Sequence, residues 1–207
     1  MMRCSLPRAG AVLATVVALA VVAPAASTTA TTGARAVVQA VIDDGLVILR
    51  KGDLSIAAKR VELQKVVEMY FDFETLSKLV LAQNWRKMSK PQRQAFVAVF
   101  KTHLSLTYSK NIEQYNNEVP VITGEKEEAR GDRTVTSKIV RSGQEDIFVS
   151  YRMRDRAGKW MMIDVVVEGV SLVSNWRSQF REVLGNKSPE HLIELLHEKN
   201  EKMQQEA

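Results

Sequence analysis

Between residues 35 and 115 apolar side chains recur every three or four positions, and from about 119 to 167 they recur at every second one. The first period belongs to a helix with one buried stripe, the second to a half-buried strand. Residues 35–51 put Val38, Val41, Ile42, Leu46 and Leu49 on one stripe, which Lys51-Gly52-Asp53 breaks. A second helix is predicted over about 54–70, with a sparser stripe of Ile56, Leu63, Val67 and Tyr70. Asp72 is placed to cap a third helix running to Leu81, and residues 84–88 read as a connector. Ser89, Pro91 and Gln92 then give the start signals of a long helix: a cap, a first-turn proline and a reciprocal cap partner. Along it Phe96, Val99, Phe100, His103, Leu104, Thr107, Tyr108, Ile112 and Tyr115 keep helical spacing, so one face is apolar and rich in aromatics.

Near Val119 the period changes. Residues 119–124 read as a first strand with Pro120 tolerated at its edge. Val135, Ser137 and Ile139 alternate with polar neighbours, as Ile147, Val149, Tyr151 and Met153 do with Phe148, Ser150 and Arg152. Residues 141–146 and 155–158 are turns, and residues 160–167 are apolar on both faces apart from Asp164. Short turns between strands imply an antiparallel meander of about four. Two helices close the chain. Leu172, Val173, Trp176, Phe180, Val183 and Leu184 share a face of the first, and Ser188-Pro189-Glu190 opens the second. Helices, then sheet, then helices predict a single α+β domain over residues 35–207, with helices flanking the sheet.

Ahead of that domain the pattern is different. Arg3 and Arg8 precede an uncharged apolar run at 11–23, and Ala23-Pro24-Ala25 supplies small residues for a cleavage site. Residues 1–25 thus have the layout of a secretory signal, and 26–34 form a small-residue linker. Cys4 is the only cysteine, so the exported chain would carry no disulfide. The net charge of +5 includes Arg3 and Arg8, leaving 27 cations against 24 carboxylates, or +3. That is mild, and aromatics are not interleaved with the basic clusters, which argues against nucleic acid. Arg86, Lys87, Lys90 and Arg93 gather at a helix start, as a solvated face or as a docking point for a partner or for lipid headgroups.

Candidate chemistry is thin. Ser171 follows Gly169 at a strand–turn–helix junction, where a hydrolase presents its nucleophile. The sharp elbow needs G-x-S-x-G, however, and Val173 stands where the second glycine belongs. The serine then reads as a helix cap, and a serine hydrolase is the reading from another class. The histidines are His103, on the apolar face of the long helix, and His191 and His197, six apart on the last helix. "HEKNE" at 197–201 lacks the second histidine of a zinc motif. Neither metal nor cofactor is expected. Asp164, a carboxylate in an apolar strand, needs a partner, and Arg152 or Arg177 could form a structural ion pair with it.

Residues 73–115 and 151–180 carry a resemblance. The pattern W-x-x-x-D-V-x-x-E-G-x-S-L-V-x-N-[YW]-R-x-x-F is matched from Trp160 to Phe180. The chain resembles the MlaC-type periplasmic auxiliary proteins of lipid ABC transport, the toluene-tolerance family, over about residues 36–200. The resemblance implies a partly NTF2-like fold that holds phospholipid acyl chains between a curved sheet and helices. It also implies exchange of lipid between an outer-membrane complex and an inner-membrane ABC transporter, in the periplasm and without catalysis. The related hopanoid-associated branch, HpnM, would imply a polycyclic cargo. On this reading the chain acts as a monomer. The tail pocket is then expected from Phe96, Phe100, Leu104 and Tyr108 on the long helix, Val135, Ile139, Val149, Tyr151, Met162 and Val165 on the sheet, and Leu172, Trp176 and Phe180 on the following helix. Composition alone does not separate such a pocket from a filled core, which leaves a structural adaptor as a third reading.

Overall fold

The change of period in the sequence is a change of layer in the molecule. The structure, a computed structural model, describes residues 33–205 apart from 110, 111, 113, 114 and 142; the signal-like segment and most of the linker lie outside the described residues. Five helices come first: α1 (Ala34–Leu49), α2 (Ile56–Tyr70), α3 (Phe73–Leu81), α4 (Gln83–Lys87) and α5 (Lys90–Ser109). The strands are β1 (Val119–Glu127), β2 (Arg133–Val140), β3 (Ile147–Arg156), β4 (Lys159–Val167) and β5 (Val170–Ser171), followed by α6 (Leu172–Asn186) and α7 (Pro189–Gln205).

The caps are those the sequence offers. Ser55 accepts from Ala58 N–H at 3.2 Å, and Asp72 accepts from Thr75 N–H at 2.8 Å. Ser89 and Gln92 cap each other reciprocally, side chain to backbone, at the start of α5. Residues 84–88, expected as a connector, are mostly helical. Ala82 takes a left-handed φ of 51°, which separates α3 from α4 and lets Trp85 turn into the core. The apolar period outlasts α5, which ends at Ser109, because Ile112 still faces the cavity described below.

The sheet is an antiparallel meander in the order β1-β2-β3-β4-β5, one short strand more than predicted. Positive φ at Ala157 and Gly158, and at Glu168 and Gly169, shapes the two tight hairpins around β4. Bulges at Thr123 and Ile163 bend their strands. The outer edge of β4 is not left bare: β5 pairs with Val166 and Val167, and Asp72 N–H donates to the Met162 carbonyl at 2.9 Å.

Two cores form. Val135, Met153 and Met162 on one sheet face pack against Ala34, Val37, Val38, Ile42 and Leu46 of α1. Leu76, Val80, Trp85, Phe96, Phe100, Val173, Trp176, Phe180, Leu192 and Leu196 fill the space among α3–α7. No helix among the described residues is long and apolar enough to cross a membrane.

Candidate functional site

Between the two cores lies a cavity of about 510 Å³. α2 contributes Leu63 and Val67, and Phe71, Phe73 and Leu76 continue the wall through the start of α3. α5 and the segment after it supply Leu104, Tyr108 and Ile112. Val165, Val167 and Val170 come from the β4–β5 hairpin, and Leu172 from α6. The polar wall residues are Arg60, Gln64, Glu68, Lys101, Ser105 and Asn175. A volume in this range and a mostly apolar wall suit a hydrocarbon guest. A second hollow, of about 280 Å³, lies between α3–α4 and α6, but Gln83, Asn84, Arg177 and Arg181 make much of its wall polar.

The geometry follows from register. Tyr151 lies directly opposite Val135 on one side and Val165 on the other, so the three share a face. Ser137, Val149 and Val167 form the next row on that face. α1 covers the end of the face that carries Val135, Met153 and Met162, and the β4 side continues into the cavity through Val165 and Val167. One sheet face thus serves both a filled core and an open hollow.

Of the residues expected to line a pocket, Leu104, Tyr108, Val165 and Leu172 border this cavity. Phe96, Phe100, Trp176 and Phe180 instead interlock in the helical core. Their ring centroids lie 5.2–5.7 Å apart, with Phe100 edge-on to both Trp176 and Phe180. Val135 and Met162 are wholly buried beneath α1, and Tyr151 is packed against the same cluster. Val149 is buried in the sheet and Ile139 half-buried near its end; neither borders the cavity. The α2 wall was not anticipated as lining. Its signal was the sparse stripe of Leu63 and Val67, since a helix with no fully buried residue is packed on one side only.

The polar candidates find structural work. Asp164, 2% exposed, accepts from the Ser171 hydroxyl at 2.7 Å and from Val173 N–H at 3.0 Å, with Arg152 Nη1 at 3.8 Å. Arg177 does not reach it and donates twice to the Leu79 carbonyl, at 2.9 and 2.7 Å. Ser171 also accepts from Ser174 N–H at 3.1 Å, so its hydroxyl is held as the cap of α6. His103 Nδ1 lies 2.7 Å from Asn200 Oδ1, and Asn200 donates to the Val99 carbonyl. Burial holds the His103 imidazole below its usual range; the Asn200 contact opposes this and the charge on Lys199 adds to it. Arg93 stacks on Trp85 at 5.3 Å, whereas Arg86, Lys87 and Lys90 are exposed. Among the described residues no group of three or more His, Cys, Asp or Glu side chains is arranged to hold a metal ion.

The chain is similar to known proteins. The chain is 24% identical over 123 residues to the toluene tolerance protein ttg2D of Pseudomonas putida; the match covers 59% of this chain and 57% of that protein, so it spans little more than half of its length. The fold superposes with a TM-score of 0.73 on the structure of a phospholipid-binding protein from Ralstonia solanacearum in complex with a phospholipid. That match covers 82% of this chain and 98% of the other, at 22% identity. The profile of the MlaC protein family matches residues 39–198, most of the described structure. The chain therefore belongs to the MlaC family.

Proposed function

We propose that the protein is a non-catalytic lipid carrier that shelters phospholipid acyl chains in the cavity between α2, α5 and the β4–β5 hairpin. The observation that carries this reading is the cavity itself: an apolar hollow left open beside two filled cores. Leaving it unfilled forgoes packing that a domain of this size would otherwise use. A guest of hydrocarbon restores those contacts.

The energetics fit a carrier better than a trap. Each methylene withdrawn from water is worth about 0.8 kcal/mol, so a lipid with roughly 30 of them does not cross water unaided. A wall as apolar as a bilayer offsets that cost without a large net preference, which lets docking partners tip the exchange. A cavity of about 510 Å³ lies within the range of ligand pockets. α2, which has no fully buried residue, is the wall most free to move outward for a larger guest. The phospholipid seen with the Ralstonia solanacearum protein supports this class of cargo.

Membership of the family supports a transport route. In this reading residues 1–25 direct export, the protein works in the periplasm as a monomer, and it passes lipid between an outer-membrane complex and an inner-membrane ABC transporter. Ser171 serves the α6 cap rather than acyl chemistry.

Native mass spectrometry of protein purified from its own compartment, followed by lipid extraction, tests the proposal. Diacyl phospholipid masses are the expected adducts. Hopanoid masses would reassign the cargo, and the absence of any adduct would leave a structural adaptor in place of a carrier.

A further inference from the structure

The cavity wall is apolar except at Asn175 and along one line. Arg60, Gln64 and Glu68 are four residues apart on α2 and so share a stripe; Lys101 and Ser105 are four apart on α5. These two stripes meet. Lys101 Nζ lies 3.0 Å from Glu68 Oε1, the Ser105 hydroxyl donates to Gln64 Oε1 at 3.3 Å, and Gln64 Nε2 donates to Glu68 Oε1 at 2.9 Å. The Lys101 and Glu68 side chains are 35% and 36% exposed, so the line runs along the solvent margin of the cavity. Leu104, one turn from Lys101, is buried.

An acyl chain has no use for these groups. A phosphodiester does: its oxygens accept from ammonium, guanidinium and hydroxyl donors, and such charge-assisted bonds are the strong ones. Lys101 and Ser105 supply such donors at the margin, and Arg60 lies on the same stripe of α2. The hydrogen bonds on Glu68, from Gln64 foremost and then from Lys101, keep its carboxyl below the usual range, so it stays an ionised partner for Lys101.

Resting on the reading that the cavity holds lipid tails, we propose that this line is the headgroup station. Lys101 exchanges Glu68 for the phosphate when a lipid is seated, and Ser105 adds its hydroxyl. The site then prefers a phosphodiester-bearing lipid over a neutral lipid with the same chains. The same contact that closes the α2–α5 seam in the empty protein is spent on the cargo in the loaded one.

The test compares release of two lipids with identical chains, phosphatidylglycerol and diacylglycerol. Each is loaded singly from nonionic detergent micelles, the detergent is removed, and the lipid is followed into excess acceptor vesicles. The wild-type protein should hold phosphatidylglycerol about tenfold longer than diacylglycerol, the scale of one charge-assisted bond. Lys101→Gln should erase that ratio while still taking up diacylglycerol, and Lys101→Arg should keep it. A wild-type ratio in Lys101→Gln overturns the headgroup station and leaves the carrier reading standing. Failure of the wild-type protein to load either lipid overturns the carrier reading itself. Inorganic phosphate alone should leave the Lys101 ammonium signal unmoved; saturable binding of phosphate without lipid would make the line a plain anion site and overturn the assignment.

Discussion

Asp164 does three jobs with one carboxylate. It takes the Ser171 hydroxyl, anchors the first turn of α6 through Val173 N–H, and draws Arg152 across from β3. Replacing it by alanine strands the buried Val173 N–H and the part-buried Ser171 hydroxyl, and Asp164→Ala should cost about 3 kcal/mol in urea unfolding. Ser171→Ala removes a cap and should cost about 1 kcal/mol, with lipid occupancy by native mass spectrometry unchanged. His103 contributes a pH dependence. Its folded pKa is depressed, so its stabilisation is present above about pH 6.5, the unfolded value, and is lost as pH falls through the folded one. The thermal midpoint should drop between about pH 7 and pH 5, and His103→Gln should flatten that part of the curve. These residues were legible in sequence as a buried carboxylate, a capping serine and a core histidine. Which arginine answers Asp164 was not, because Arg177 finds a backbone carbonyl closer to hand.

At the scale of elements, α5 and α6 are built on the same aromatic stripe the sequence displays, yet most of that stripe fills a core. Apolar spacing says which face is covered, and it is silent on whether protein or guest covers it. Phe100, wholly buried among Phe96, Trp176 and Phe180, should cost about 3–5 kcal/mol on truncation to alanine. α2 is the opposite case. Ile56, Val61, Val67 and Met69 are exposed, and its polar contacts to α5 are few and near the surface. In hydrogen exchange on empty protein, α2 amides should open well before those of α5, and added phospholipid should slow them. If α2 is as protected as α5, it is not the yielding wall. The switch from helical to strand period, the hairpin turns and the caps were readable because each is a local signal. The role of α4 was not, since a left-handed alanine at 82 leaves no mark in the residue type.

For the whole molecule, the two cores and the gap between them are the feature that local patterns could not supply. The gap depends on how α2 and the β4–β5 hairpin are set against α5, a matter of long-range packing. Leu104→Trp and Val165→Trp would each fill part of it. Both variants should lose bound lipid while keeping a wild-type circular dichroism spectrum.

The most direct measurement uses a phospholipid with a diazirine at the end of one acyl chain, loaded into the protein, photolysed, and mapped by peptide mass spectrometry. Labels should fall on Leu63, Leu104, Val165 or Leu172, which line the cavity. Labels confined to exposed apolar residues such as Phe148 and Val140, with none in the cavity, would contradict the account.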